Sequence, residues 1–378
     1  MKTEQIHWTQ KTGWHSKPTE EFRQKSQLVL VFGSRAALEN KKAFGAITRF
    51  YPTASIAGCS TSGEILGTEV LDDSLTATAI LFEHTSVQLA QTRIDSVEFS
   101  LQAGEILGQS LEPEGLTHIL VFADGLRVNG THLIEGLKNS LPEDVKITGG
   151  LAGDGELFKK TLVCGNGLPV SGQIVAIGLY SSRLNVGCGS LAGWVPFGAD
   201  RLITKSKGNI LYEMDGQPAI ELYRSILKEE SVELSAARFH FPLEIKSRNM
   251  NRGIVRTIVG IDEKDNSLIF AGDVPEGYRA RLMKVNFDRL MDGATEAARG
   301  SIYNGFHSAD LALLVSCVGR KIVLKQRTFQ ELEAIREVLG KATSLTGFYS
   351  YGEIAPFAGG QNCYLHNETM TITTFYEN

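Results

Sequence analysis

One octet occurs three times in this chain and constrains its fold more than any other feature. GCSTSGEI (Gly58 to Ile65), GLAGDGEL (Gly150 to Leu157) and GFYSYGEI (Gly347 to Ile354) share the form G-x-x-x-x-G-E-[IL]. Each copy is preceded by a short apolar run, Leu28 to Phe32, His118 to Asp124 and Leu311 to Cys317, whose Val, Ile and Leu content suits a strand buried on both faces. Between run and octet lie segments of helical periodicity: Ala36 to Phe50, Asn129 to Ser140, and Thr328 to Gly340 with Phe329, Leu332, Ile335 and Leu339 in step. After each octet comes a further strand candidate, Leu75 to Phe82, Gly172 to Tyr180 and Thr369 to Tyr376. The expected fold is α/β (mixed α+β), with three βαββ-type units forming mixed sheets covered by helices.

Two glycines bracketing four residues let the chain turn sharply, with positive φ available at both ends, and hold Glu64, Glu156 and Glu353 at set places beside the turn. These carboxylates are either structural clips on backbone amides or an Arg, or ligand contacts; the pattern leaves both open.

The spacing between copies divides the chain. Ser100 to Glu114 is a helix candidate joining the first two units, whereas Arg183 to Asp310 is far longer and changes character. It opens with VGCGSLAG, read as a loop, and with Trp194, Pro196 and Phe197, read as an interdomain wedge. A helix from Ala219 to Glu230 follows, then short strands in FPLEIK, IVRTIVGID and NSLIFAGDV, then an amphipathic helix from Gly277 to Tyr303. Two domains are expected: 28–205 with two units, and 206–378 with a divergent insert and the third. Residues 1–27 form an arm whose Trp8 and Trp14 are expected to dock on a sheet edge or a partner.

With 42% hydrophobic and 21% charged residues among 378, and 38 basic against 43 acidic side chains, this is an ordinary globular composition with no Lys/Arg block to track phosphates. Nucleic acid is not an expected partner. Five cysteines without a CxxC pair suit reduced cytosolic thiols, and no run reaches the roughly 18 apolar residues of a membrane span. A cytoplasmic protein without membrane insertion is expected. No Walker loop or GxGxxG is present, and Cys317 with His366 lacks an oxyanion hole or orienting acid, so no catalytic residue is assigned and a non-enzyme is expected over a thiol-dependent enzyme.

On GCSTSGEI, WVPFG (Trp194 to Gly198), LYEMDGQPAIELY (Leu211 to Tyr223), FPLEI (Phe241 to Ile245), SCVGR (Ser316 to Arg320), GFYSYGEIAPF (Gly347 to Phe357) and LHNETMTI (Leu365 to Ile372), the chain resembles the FIST family from about Leu28 to Asn378. That family is named for F-box and intracellular signal-transduction proteins. The resemblance implies paired FIST N and FIST C domains and a sensor of small molecules such as amino acids. In one bacterial branch, which free-standing members of this length look most like, it implies haem binding and nitric oxide reporting to a histidine kinase. The expected function is cytoplasmic small-ligand sensing coupled to a separate histidine kinase, most specifically haem-based nitric oxide sensing; the alternative is an amino-acid or small-carboxylate sensor without haem. A homodimer is left open.

Seven residues are expected to converge at one end of a sheet as the ligand site: Cys317, Arg320, Tyr349, Tyr351, Glu353, His366 and Asn367. A fixed Arg beside aromatic rings and an Asn suits a carboxylate, from an amino acid or a haem propionate. The structural alternative is an Arg320 to Glu353 ion pair with His366 on a backbone carbonyl. Of eight histidines without a motif, His240, set among aromatics and Pro in RFHFPLEI, is the candidate axial ligand of haem iron.

Overall fold

The computed structural model describes residues 1–229, 238–250, 252–302, 309–357 and 359–378. The apolar runs and periodic segments become strands and helices of three like units. Unit one comprises β1 (Lys2–Thr9), α1 (Glu20–Lys25), β2 (Leu28–Gly33), α2 (Arg35–Glu39), α3 (Lys41–Phe50), β3 (Ser55–Ser60), β4 (Glu64–Leu66) and β5 (Ser74–Leu81). Unit two comprises β6 (Ser86–Arg93), α4 (Ser100–Gln109), β7 (Leu116–Ala123), α5 (Gly130–Asn139), β8 (Lys146–Leu151), β9 (Val163–Gly165) and β10 (Gln173–Tyr180). Unit three comprises β11 (Leu184–Leu191), α6 (Phe287–Gly300), β12 (Leu311–Cys317), α7 (Val318–Leu324), α8 (Thr328–Leu339), β13 (Ser344–Ser350), β14 (Gly352–Pro356) and β15 (Met370–Glu377).

Within each unit the apolar strand pairs in parallel with the strand that opens the octet (β2 with β3, β7 with β8, β12 with β13) and antiparallel with the last strand. The last strand in turn pairs with the leading one, β1, β6 or β11. The short strand after the octet leaves its own unit. β4 pairs with β13 of unit three, β14 with β8 of unit two, and β9 with β3 of unit one. Three exchanges in one direction close a ring with pseudo-threefold symmetry. Single backbone bonds repeat the cycle at the centre: Ser62 N to Tyr349 O at 2.8 Å, Gly153 N to Ser60 O at 2.9 Å and Tyr351 N to Leu151 O at 3.1 Å.

The parallel registers place Gly58 opposite Val31, Gly149 opposite Val121 and Gly347 opposite Leu314, and at each glycine a Cβ would overlap the opposing carbonyl oxygen. The second octet is therefore one residue out of register in GLAGDGEL, because Gly149, not Gly150, corresponds to Gly58 and Gly347. The exchanged strands agree. Glu64 lies opposite Phe348 and Glu353 opposite Gly150, but Cys59 faces Val163, so Glu156 is not the counterpart of the other two carboxylates.

The core sits where the sheets face one another. Phe32, Phe122 and Phe348 meet with centroids 4.7 to 6.0 Å apart, surrounded by Leu30, Leu120, Val175, Leu313 and Val315. Helices cover the outer faces, each burying one apolar stripe. On α8 the stripe is Leu332, Ile335 and Leu339, while Phe329 is 47% exposed despite being in step.

Several elements differ from expectation for local reasons. The segment Ala36 to Phe50 is two helices, broken at Asn40, whose side chain accepts from Lys42 N and Ala43 N to cap α3. VGCGSLAG is not a loop but most of β11; a Cβ on Gly187 or Gly189 would overlap the carbonyls of Ser301 and Ala297, so these glycines let the end of α6 press on the strand. Gly277 to Tyr303 is not one helix: Arg279–Lys284 is a strand, and α6 starts after Asn286, whose side chain accepts from Arg289 N. The arm supplies β1, which pairs along all of β5, with Trp8 and Trp14 packed against the unit-one core.

The described residues between Val195 and Lys284 form an antiparallel sheet with helix Ala219–Glu229 and a core of their own, inserted between β11 and α6. The expected helix end at Glu230 lies outside the described residues, as does Tyr303. Trp194 stands at the root of the insert, buried with Phe239, Met283, Leu290, Val323 and Leu324. Among the described residues, no helix is long and apolar enough to cross a membrane.

Candidate functional site

The octet carboxylates have unequal surroundings. Glu64 is buried and accepts from Thr61 Oγ1 and Ser74 Oγ, both at 2.5 Å, and from Ser74 N at 3.3 Å. Burial raises its pKa to about 7 against the opposing pull of those hydrogen bonds. Glu353 accepts from Ser350 Oγ at 2.6 Å and Thr369 N at 3.3 Å, and burial holds it well above the usual carboxylate range. Both glutamates tie an exchanged strand to the start of their unit's last strand. In unit two this work falls to Asp124 at the end of β7. It accepts from Thr161 Oγ1 (2.6 Å), Ser171 Oγ (2.8 Å), Gly172 N (2.7 Å), Leu126 N (2.9 Å) and Arg127 N (3.1 Å). Glu156 is exposed.

The seven C-terminal candidates do not share one cavity. Cys317 precedes α7, its thiol pushed up by burial and by the nearby Glu353 and Glu368. Arg320 is wholly buried and spends its guanidinium on Glu331, on Leu290 O at 2.9 Å and on Ala192 O; its ionic partner is Glu331, not Glu353. Tyr349 is buried beneath Lys321, whose Nζ lies 5.6 Å from the ring. Tyr351 stacks on Phe158 at 4.4 Å, with its hydroxyl between Asp154 Oδ1 and Gly155 O. His366 Nε2 donates to Ala355 O at 3.0 Å, and burial lowers its pKa to about 4. Asn367 reaches Tyr351 O at 3.5 Å. His240 is half-buried and lines none of the cavities of about 950, 440, 350 and 330 Å³ that open among the described residues.

The largest of these cavities, about 950 Å³, opens where the three units meet, beyond the C-terminal ends of β2 and β3 and beside α7. Arg35, directly after the α2 N-cap Ser34, sends Nη1 to Asp154 Oδ2 at 3.3 Å. Asp154 Oδ2 also accepts from Lys159 N and Lys160 N at 3.1 and 2.9 Å, which orders the loop after β8. Lys321 donates to Ser62 O at 2.8 Å and pairs with Asp72. Glu64, Asp72, Asp73, Asp154 and Glu156 thus line the cleft against Arg35, Lys321 and Lys325. No sequence motif marks Arg35, Asp154 or Lys321 as a group. Arg35 follows an apolar strand and a helix-capping Ser, and Asp154 lies inside the second octet, so each carries a local signal.

A second cleft of about 440 Å³ lies between unit two and the insert, with Phe158, Phe270 and Tyr351 among its walls. There His132 Nε2 meets Asp273 Oδ2 at 3.2 Å, and Asn129 Nδ2 donates to Asp273 Oδ1 at 2.9 Å. The insert is further bound to the ring by Arg256, which donates to Leu365 O, and by Thr257, which donates to the buried Glu368. Haem iron needs an axial His, Cys, Met or Tyr. The central cleft has none of these among its lining residues, whereas the second cleft has His132 among apolar and aromatic side chains.

The FIST N domain matches residues 27–217 and the FIST C domain residues 219–356. The two matches meet inside the insert, so β11, the leading strand of unit three, falls within the first. The chain is 22% identical over 320 residues to the uncharacterized protein MJ1623 of Methanocaldococcus jannaschii, covering 78% of this chain and 60% of that relative. The chain therefore spans less than two thirds of the length of the curated relative it matches. Three units of one design, closed by strand exchange around a polar cleft and matched over most of the chain, place this protein in the FIST family, whose domains are small-ligand sensory modules.

Proposed function

We propose that the central cleft binds a small zwitterion, an amino acid foremost, and that the protein reports its occupancy to a separate signalling partner. The observation that carries this reading is the Arg35–Asp154 pair, set in an acid-rich cleft to which all three units contribute. A zwitterion answers such a site: its carboxylate takes Arg35 while its ammonium takes the acidic wall of Asp72 and Asp73. Asp154 also holds Tyr351 and the amides of Lys159 and Lys160, so a ligand that draws Arg35 away shifts the balance of the whole loop. Signalling requires that the ligand bind the two arrangements unequally. The class of partner is a histidine kinase, which the family resemblance implies.

Calorimetry with a panel of amino acids tests the site. Saturable binding weakened about tenfold or more by Arg35→Gln supports it, and no saturable heat from any of them rejects it. Kinase autophosphorylation unaltered by the protein, with and without the ligand, rejects the coupling.

Haem-based nitric oxide sensing is the second reading, favoured by His132 in the aromatic cleft beside the insert. A Soret band in protein from haem-supplemented cells that is lost in His132→Ala, with His240→Ala as the comparison, supports it. A colourless protein that does not bind haemin saturably removes it.

A further inference from the structure

We propose that a second ligand site, separate from the central cleft, lies between α5 and the insert and takes a carboxylate carried on an aliphatic chain. A cavity of about 330 Å³ opens there, sharing no lining residue with the central cleft and only Asp273 with the cleft that holds His132. Its walls follow from local periodicity. Thr131, Ile134 and Lys138 fall at spacings of three and four on one face of α5. Across the cavity, Ile254 and Arg256 lie two apart on the strand Ile254–Arg256 and so share a side, and Ile245 pairs directly with Ile254. Leu365, on the strand Cys363–His366, closes a third wall.

Arg256 is a buried cation that lacks a counter-ion. It is 3% exposed, and its Nε and Nη1 donate to carbonyls alone: Asp273 O at 3.0 Å, Leu365 O at 2.8 Å and Val255 O at 3.5 Å. Among the described residues no carboxylate stands within ion-pair distance of it, and that of Asp273 is taken by His132 and Asn129. Burying a charge in this way is costly, and it lowers the pKa of Arg256 to about 10. Nη2 makes no hydrogen bond, yet it is not among the polar atoms sealed from solvent. Arg256 lines this cavity and none of the other three, so the cavity is where Nη2 meets an acceptor. An anion brings both the acceptor and the counter-charge. At the mouth the exposed Lys138 and Glu135 offset each other, and Lys138 already donates to Cys363 O at 3.2 Å, so the selecting charge is that of Arg256. Ile134, Ile245, Met250, Ile254 and Leu365 suit an aliphatic body. With walls from both α5 and the insert, occupancy would fasten one to the other.

The probe is octanoate, titrated calorimetrically into the intact chain, with octanamide as the uncharged counterpart. One saturable site per chain is expected, with binding weakened roughly tenfold or more by Arg256→Gln and by the change to octanamide. Met250→Trp, which fills the cavity from the turn after the strand Leu243–Lys246, abolishes binding, while Arg35→Gln, in the central cleft, leaves it unchanged. No saturable heat at millimolar octanoate, or wild-type affinity in Met250→Trp, overturns the site. Equal affinity for octanamide, or for octanoate in Arg256→Gln, overturns the assignment to a carboxylate held by Arg256. Arg256 also ties the insert to the ring, so Met250→Trp, at a half-buried position outside any strand or helix, tests the site even if Arg256→Gln does not fold.

Discussion

Units one and three solve a structural problem in one way and unit two in another. In the first pair, the carboxylate that locks the exchanged strand rides on that strand, as Glu64 and Glu353. In unit two that place is Val163, and the acceptor is Asp124, which reaches from the end of β7 to the amides of Leu126, Arg127 and Gly172. The ring thus requires an acceptor at a point in space, not a residue at a point in sequence. The difference also shapes the cleft. Freed from a clip inside the octet, the chain after β8 runs through residues 152–162 before rejoining a strand, and this longer loop brings Asp154 and Glu156 to the cavity. Symmetry builds the scaffold, and departure from symmetry furnishes the site.

The comparison is broken most forcefully at the glycines. Gly58→Ala, Gly149→Ala and Gly347→Ala should each cost about 3 kcal/mol or more in chemical denaturation, because backbone, not side chain, blocks the Cβ. Gly150→Ala meets first the Val315 side chain and should cost less than Gly149→Ala; the reverse order would restore the register suggested by the octet. Next comes the acceptor. Asp124→Asn turns an amide donor toward a site filled with donors and should cost about 2 kcal/mol, whereas Glu64→Gln should cost about 1 kcal/mol or less, since Glu64 near pH 7 is already half neutral.

The same glutamate predicts a pH effect. Folded Glu64 keeps its proton up to about pH 7, while an unfolded carboxyl loses it near 4.5, so the folded state binds the extra proton between these values. Its contribution is fully present below about pH 4.5 and is lost as pH rises through 7. The difference in melting temperature between wild type and Glu64→Gln should therefore shift against wild type from pH 5 to pH 8. A flat difference would show that Glu64 ionises normally. A further small effect is expected at Tyr351→Phe, which keeps the stack on Phe158 but removes the hydroxyl from Asp154, at about 0.5 kcal/mol by thermal melting.

Much of the local structure is legible in the sequence. The runs beginning at Leu28, His118 and Leu311 are strands, and the periodic segments after them are helical, because burial of a continuous or striped apolar face is written in neighbouring residues. The edge strands β1 and β6 are harder to see, since half-exposed strands mix polar with apolar residues. Glu156 misleads because a pattern match carries no information about hydrogen-bond partners.

The sequence by itself determined three units of one design and their helical cover, because each of these is enforced by contacts within a short stretch of chain. Only the tertiary structure decided which sheet each exchanged strand joins. β4 and β9 have three residues each, too few to hold a register on their own, so their partners are chosen by carbonyls and glycines of another unit. That choice brings Arg35, Asp154 and Lys321 to one cleft, since the positions of charged groups far apart in sequence follow from how the ring closes.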